Sequence, residues 1–191
     1  MKLRVKYLQD ATRMNKITKG NWIDVYAYQD IFVPEGERAM INLGFALELP
    51  KGWEGHLAPR SSTFKTWGII QTNHVGVVDD TYIGDNDIWH IPVYCLQGKD
   101  FILKDLKEQV LINKIADNDF EIIKNGVQIF RCVGDDAEEH IYNHVIKGTW
   151  IIKGDKIGQF RIMEVMPEIE FEEVEFFNNI DRGGFGTTGV K

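Results

Sequence analysis

Apolar and polar residues alternate along Leu3-Arg4-Val5-Lys6-Tyr7, the period of two that turns one face of a β-strand inward and the other to solvent. Met40 to Leu49 is a longer apolar run with partial alternation, and Gly55-His56-Leu57-Ala58-Pro59 leads as a further strand into Arg60. Between these runs stand the turn signals Pro34-Glu35-Gly36-Glu37, Pro50-Lys51-Gly52 and Gly84-Asp85-Asn86-Asp87, at the spacing of an all-β sandwich or barrel. One short helix is expected in the first half, over Thr63-Phe64-Lys65-Thr66-Trp67, with a serine before it as cap and Gly68 as its stop.

Gly98 to Lys147 departs from this pattern without being low in complexity. Leu103 to Val110 reads as a short amphipathic helix, and Phe120 to Phe130 as a β-hairpin over Asn125-Gly126. Asp135-Asp136-Ala137-Glu138-Glu139-His140 forms an acidic patch beside Ile141 and Tyr142. Three roles are open to this mixed α/β segment: a subdomain that extends the barrel, a platform for a protein partner, or an acidic metal cluster. The end of the chain is different again. Asp181 to Gly189 holds four glycines around one arginine, one aromatic ring and two threonines. Glycine is costly to order, so residues 178–191 are expected to be a flexible Gly-rich tail until a ligand supplies partners. Arg182 offers a planar fork to phosphate, the Gly and Thr N–H groups form an anion-binding concavity, and Phe185 offers a flat face to a base. The tail reads as a mobile lid for a nucleotide.

Composition narrows the field. A chain of 191 residues, 43% hydrophobic, can bury one ordinary core, so residues 1–191 are expected to form one domain with an elaboration. The net charge of −7 argues against stable nucleic-acid binding or a hold on an anionic membrane. No apolar run approaches the roughly 20 residues that span a bilayer, and Met1-Lys2-Leu3-Arg4-Val5 lacks the apolar stretch of a signal peptide, which points to a cytoplasmic location. Cys95 and Cys132 stand alone, without metal-ligand spacing, and are expected to be reduced and structural.

Ile23-Asp24-Val25, Pro59-Arg60-Ser61-Ser62, Gly76-Val77-Val78-Asp79-Asp80-Thr81-Tyr82-Ile83-Gly84, Lys153-Gly154-Asp155-Lys156-Ile157-Gly158-Gln159 and the tail follow one another in the order of five motifs. They closely resemble those of the trimeric dUTPases, over residues 21 to 189, and Gln71-Thr72-Asn73-His74-Val75-Gly76 most resembles bacterial and phage members. The resemblance implies a jelly-roll-like β barrel of the dUTPase type, in which 98–147 is an insertion where compact members make a short connection. It also implies a homotrimer with active sites shared between subunits. The implied activity is hydrolysis of dUTP to dUMP and pyrophosphate by Mg2+-assisted attack of water on the α-phosphorus.

Such an attack needs a base for the water, a cation to spread charge over the phosphates, and donors aimed at the leaving oxygen. By the resemblance Asp79 is the base, and its place at the end of an apolar strand suggests partial burial that would raise its basicity. Tyr82 lies against the deoxyribose and leaves no space for a 2′-hydroxyl. Uracil is read by main-chain groups of a hairpin from Gly76 to Gly84, Val78 among them, because a backbone N–H and C=O pair rejects the reversed pattern of cytosine. Asn73 matches a position that contacts the base, and His74 is a rim residue. Arg60, Ser61 and Ser62 hold the phosphates, and Gln159 organises phosphate and metal-bound water. Arg182, Thr187 and Thr188 lie near the γ-phosphate, Gly186 also binds substrate, and Phe185 covers uracil. Asp24 holds Mg2+ through water, as suits an ion that dehydrates reluctantly.

Two departures stand out. Trp22 occupies a place that is commonly glycine in the first motif, and Arg182-Gly183-Gly184-Phe185 lacks two residues usual in the fifth. The rival readings are a dCTP deaminase-like relative, which shares the fold but lacks the Tyr82-type residue and the Gly-Phe-Gly tail, and a dUTPase-fold regulator that binds a partner protein through 98–147.

Overall fold

The computed structural model describes residues 1–15, 19–102, 111–124 and 127–181. A four-stranded sheet runs in the order β2 (Ile23–Tyr26), β15 (Lys156–Glu164), β6 (Trp53–Pro59), β8 (Gly76–Val78). A three-stranded sheet joins β4 (Arg38–Asn42), β9 (His90–Cys95) and β7 (Ile69–Gln71). The pair β1 (Arg4–Tyr7) and β5 (Phe45–Glu48) and the trio β10 (Lys99–Ile102), β14 (Val145–Ile151), β3 (Ile31–Pro34) complete the β body. All these pairs are antiparallel. Inward residues at period two, including Leu57, Ile69, Ile91, Val93 and Ile157, form one continuous core around the rings of Phe45, Trp89 and Phe160, whose centroids lie 5.3 to 6.2 Å apart.

The apolar run from Met40 to Leu49 is two strands in different sheets. Gly44 stands at the break with φ of 73°, and its N–H donates to Asn42 Oδ1 at 2.7 Å, so a local side-chain bond turns the backbone where hydropathy alone suggested continuity. The expected helix is present as α1 (Thr63–Trp67) and stops at Gly68, which is left-handed at φ 64°. Its start differs from expectation: Ser62 occupies the cap position without a side-chain cap bond, and Thr63 Oγ1 accepts the Arg60 N–H at 2.9 Å instead. Tying the Arg60 backbone to the helix start fixes where the Arg60 side chain leaves the barrel.

The 98–147 segment contains a three-stranded antiparallel sheet of β11 (Leu111–Ala116), β12 (Asp119–Lys124) and β13 (Val127–Val133), followed by α2 (Ala137–Tyr142). Strands β12 and β13 pair as the hairpin reading requires; Asn125, Gly126 and the helix expected over 103–110 lie outside the described residues. The acidic patch spans the turn at Asp135 and Asp136 and the start of α2, with Ala137 and Ile141 buried beneath the helix. The ends of the segment belong to the barrel, since β10 pairs with β14 and β14 with β3. Along β3 the alternation serves two cores: Val33 packs into the barrel, while Phe32 packs with Phe120, Ile122, Ile141 and Ile146. Ile151 and Trp150 divide in the same way on β14.

After Val165, whose N–H donates to the Gly52 carbonyl at 3.0 Å, the chain continues to residue 181 without regular structure. This arm is exposed even at its apolar positions, with Phe171 at 91% and Ile180 at 99%.

Candidate active site

The four-stranded sheet sets three of the motif residues side by side. Asp24 on β2 is the direct partner of Gln159 on β15, and Gln159 is in turn the partner of Ala58 on β6, which leads to Arg60. The side chains meet accordingly. Arg60 Nε lies 3.0 Å from Asp24 Oδ1, Lys156 Nζ lies 3.0 Å from Asp24 Oδ2, and Gln159 Nε2 donates to the Pro59 carbonyl at 3.2 Å. Lys156 belongs to the fourth motif, but its tie to Asp24 depends on the β15–β2 register and was not assigned from sequence. Exposed Ser61 and half-buried Ser62 stand beside this cluster at the start of α1. Trp22 leaves it intact: its ring lies outside the ion pairs, with the Arg161 guanidinium 5.8 Å from the ring centroid. The cluster offers guanidinium, ammonium, amide and hydroxyl donors on one rim, the donor set that phosphate oxygens accept from.

Asp79 and Tyr82 lie elsewhere. β8 pairs with β6 so that Gly76 faces Leu57 and Val78 faces Gly55, which puts Asp79 beyond Gly55 and Arg60 at the opposite end of the same strand. At about 3.3 Å per residue, the interval from Glu54 to Arg60 is about 20 Å. A single chain therefore brings Asp24, Arg60 and Gln159 together and holds Asp79 apart from them. Beside Asp79 is a cavity of about 310 Å³ bounded by Met40, Val77, Tyr82 and His90, which is mostly apolar walling with one carboxylate. The Tyr82 hydroxyl donates to the Ile88 carbonyl at 3.3 Å.

Two features of this region differ from the sequence reading. The hairpin expected from Gly76 to Gly84 has only one strand: β8 pairs with β6, and residues 79–89 return as turns, fixed by Asp87 Oδ2, which accepts the Gly84 N–H at 2.7 Å. Asp79 is exposed rather than partly buried, and its basicity is lowered rather than raised. Its Oδ1 accepts the Thr81 hydroxyl and, at 2.8 Å, the Thr81 N–H, and these bonds to the ionised form hold the carboxyl below the ordinary aspartate range. Thr81 is the residue that sequence reasoning missed here, although a threonine two residues after an aspartate is a recognisable Asx-type turn.

Asp24 was expected to carry Mg2+, but both its oxygens are held by cationic side chains. Among the described residues no group of three or more His, Cys, Asp and Glu side chains could hold a metal, the acidic face of α2 included. The donors fit a Mg2+ that arrives on triphosphate oxygens; they do not fit an ion caged by the protein. Arg182, Phe185, Gly186, Thr187 and Thr188 lie outside the described residues. No helix among the described residues is long and apolar enough to cross a membrane.

A family model for dUTPase matches residues 22–123. The SPbeta prophage-derived deoxyuridine 5'-triphosphate nucleotidohydrolase YosS of Bacillus subtilis (strain 168) is 37% identical over 192 residues, covering 100% of each chain. The deoxyuridine 5'-triphosphate nucleotidohydrolase of Clostridioides difficile is 27% identical over 191 residues, covering 98% of this chain and 97% of its own. Among solved structures, a Staphylococcus bacteriophage 80alpha dUTPase with dUpNHpp, described as controlling transfer of virulence genes by a proto-oncogenic G protein-like mechanism, superposes with a TM-score of 0.63 at 22% identity, covering 99% of both chains. A mutant dUTPase from phage phi11 of S. aureus, described with a structural Mg(II) ion, gives a TM-score of 0.57 at 20% identity, over 93% of this chain and 99% of that one. Both likenesses are of fold.

Proposed function

The chain belongs to the dUTPase family and hydrolyses dUTP to dUMP and pyrophosphate; we propose that it does so at a site built jointly by three copies, with Asp79 as the base. The observation that carries the shared site is the separation just described: Asp24, Arg60 and Gln159 at one end of β6, Asp79 and Tyr82 at the other. The two halves of one reaction centre meet when the Asp79 edge of one copy comes against the Arg60 end of another. The exposed arm supports the same assembly, since apolar side chains such as Phe171, Phe176 and Phe177 gain cover only against another surface.

At this site Arg60, Ser61, Ser62 and Gln159 bind the triphosphate, with Arg60 offering its fork to the phosphate oxygens as it leaves Asp24 to Lys156. Mg2+ carried on the phosphate oxygens would spread the charge that develops there. Tyr82 and the cavity beside it take the nucleoside, and the tail, through Arg182, Gly186, Thr187, Thr188 and Phe185, covers it. Asp79 holds a water by its second oxygen and takes its proton as the water attacks the α-phosphorus. The Thr81 bonds that lower its pKa also fix the orientation of this carboxylate, at some cost in basicity. The dCTP deaminase reading is not favoured.

The insertion as a platform for a protein partner is a further proposal, supported by the exposed acids Asp135, Glu138 and Glu139 on and beside α2.

The test is turnover. Purified protein incubated with dUTP and, separately, dCTP is expected to release pyrophosphate from the first and no ammonia from the second. Asp79→Asn is expected to lower kcat by roughly 10²–10⁴ while dUTP still binds. Unchanged kcat in that variant would remove Asp79 from the chemistry, and a mass in solution of one 22.0 kDa chain in the active protein would remove the shared site.

A further inference from the structure

Gln71, at the end of β7, is buried with 4% exposure, and its amide nitrogen makes two bonds: Nε2 donates to the Leu57 carbonyl at 3.0 Å and to Asn73 Oδ1 at 2.8 Å. The first bond decides the orientation of the Gln71 amide, because a backbone carbonyl only accepts. The second then decides the orientation of Asn73. With Oδ1 turned to Gln71, the NH2 end of the exposed Asn73 is the end left to face a ligand. Gly76 makes room for it: a Cβ there would come within 3.3 Å of Asn73 Nδ2. The arrangement leaves Gln71 Oε1 buried and without a hydrogen-bond partner among the described residues, which destabilises the fold. An apolar side chain of similar length would remove that unpaired oxygen but also the donor to the Leu57 carbonyl and to Asn73, so what the amide contributes lies in its nitrogen.

On the reading that Asn73 contacts the base, we propose that Gln71 is a specificity-determining positioning residue that locks the Asn73 amide with its NH2 toward the pyrimidine. A fixed donor matches O4 of uracil and opposes the amino group that cytosine carries at the same ring position. Without Gln71, an exposed Asn73 would turn either end of its amide to the base and discriminate little.

The test compares binding of non-hydrolysable α,β-imido analogues of dUTP and dCTP to the full chain carrying Gln71→Met, Asn73→Ala, both changes, or Asn73→Asp. Gln71→Met is expected to lower the dUTP-to-dCTP affinity ratio by about tenfold. The double variant should then be no worse than Asn73→Ala alone. Asn73→Asp places an acceptor toward the base while Gln71 holds the other oxygen, so it should move the ratio further toward dCTP, and less so when Gln71→Met is added. A ratio unchanged in Gln71→Met but lowered in Asn73→Ala overturns the role of Gln71 alone. A ratio unchanged in Asn73→Ala overturns the base contact on which the proposal rests. Should Gln71→Met fail to fold, Gln71→Glu keeps the size but offers Asn73 no amide N–H, and an unchanged ratio in that variant overturns the proposal equally.

Discussion

Asp24 is shared between Arg60 and Lys156, each with a nitrogen 3.0 Å from a different carboxylate oxygen. The three side chains are between 29% and 49% exposed, so water screens the pairs and their joint contribution to stability is at most about 1 kcal/mol. Their effect is on geometry. Because Lys156 keeps Asp24 paired, Arg60 can leave for a phosphate without abandoning a bare carboxylate. Asp24→Asn is therefore expected to leave thermal stability nearly unchanged and to raise the KM for dUTP by about tenfold, with kcat less affected. Steady-state kinetics beside a melting curve decide this; an unchanged KM would remove the cluster from substrate binding.

Thr81 sets the acid limb of activity. Its hydroxyl is the largest influence holding the Asp79 carboxyl below the ordinary aspartate range. In Thr81→Val that influence is lost, the Asp79 pKa rises, and the carboxyl protonates at a higher pH. The low-pH limb of kcat/KM should move upward, while the rate on the neutral plateau stays within a few-fold. A limb that does not move would mean that Asp79 is not the group titrating.

Gly68→Ala tests the stop of α1. The position is left-handed at φ 64°, and an added Cβ would lie 1.7 Å from the Gln97 carbonyl oxygen. Backbone strain of this kind costs about 1–3 kcal/mol, and the overlap with main chain adds to it. Calorimetry is expected to show a fall of several degrees in Tm; an unchanged Tm would mean that the segment carrying Gln97 yields to the added Cβ.

Acid should loosen the sheet of β11 to β13 before the barrel. Arg131 grips Asp119 through two bonds of 2.9 and 2.6 Å, and the bonded guanidinium holds the Asp119 carboxyl below its ordinary range. A depressed carboxylate pKa contributes stability that is complete above the unfolded value and is lost as pH falls through the folded one. Amide exchange across β12 and β13 is therefore expected to accelerate below the ordinary aspartate range, and Asp119→Asn should show the faster exchange already at neutral pH. Equal exchange in the two proteins at neutral pH would place the stability of the sheet elsewhere.

β6 was legible from sequence because its alternation, with Gly55 and Leu57 buried between half-buried neighbours, is the direct imprint of one wet face and one dry face. Ile31-Phe32-Val33 was passed over for the opposite reason: with a core on each side it shows no alternation, and a short continuous apolar run was its only signal. Local chemistry was legible where it stays local, as in the helix stop at Gly68. Pairings fixed by register were not. Lys156 meets Asp24 because β15 lies beside β2, and Gln71 meets Leu57 because β7 ends beneath β6, neither of which can be counted along the chain. The exposure of Asp79 was misjudged because burial depends on what packs across a strand end, and among the described residues nothing buries that carboxylate.

The two-sided strands β3 and β14 key the sheet of β11 to β13 and α2 into the barrel, so that this sheet is no ornament hung from it. Stripping α2 and its sheet away would leave Phe32 and Ile146 facing water from the wall of the barrel itself. A shortened version of this protein therefore calls for replanting those positions with polar side chains, and an excision that leaves them as they are should yield a sticky, aggregating barrel.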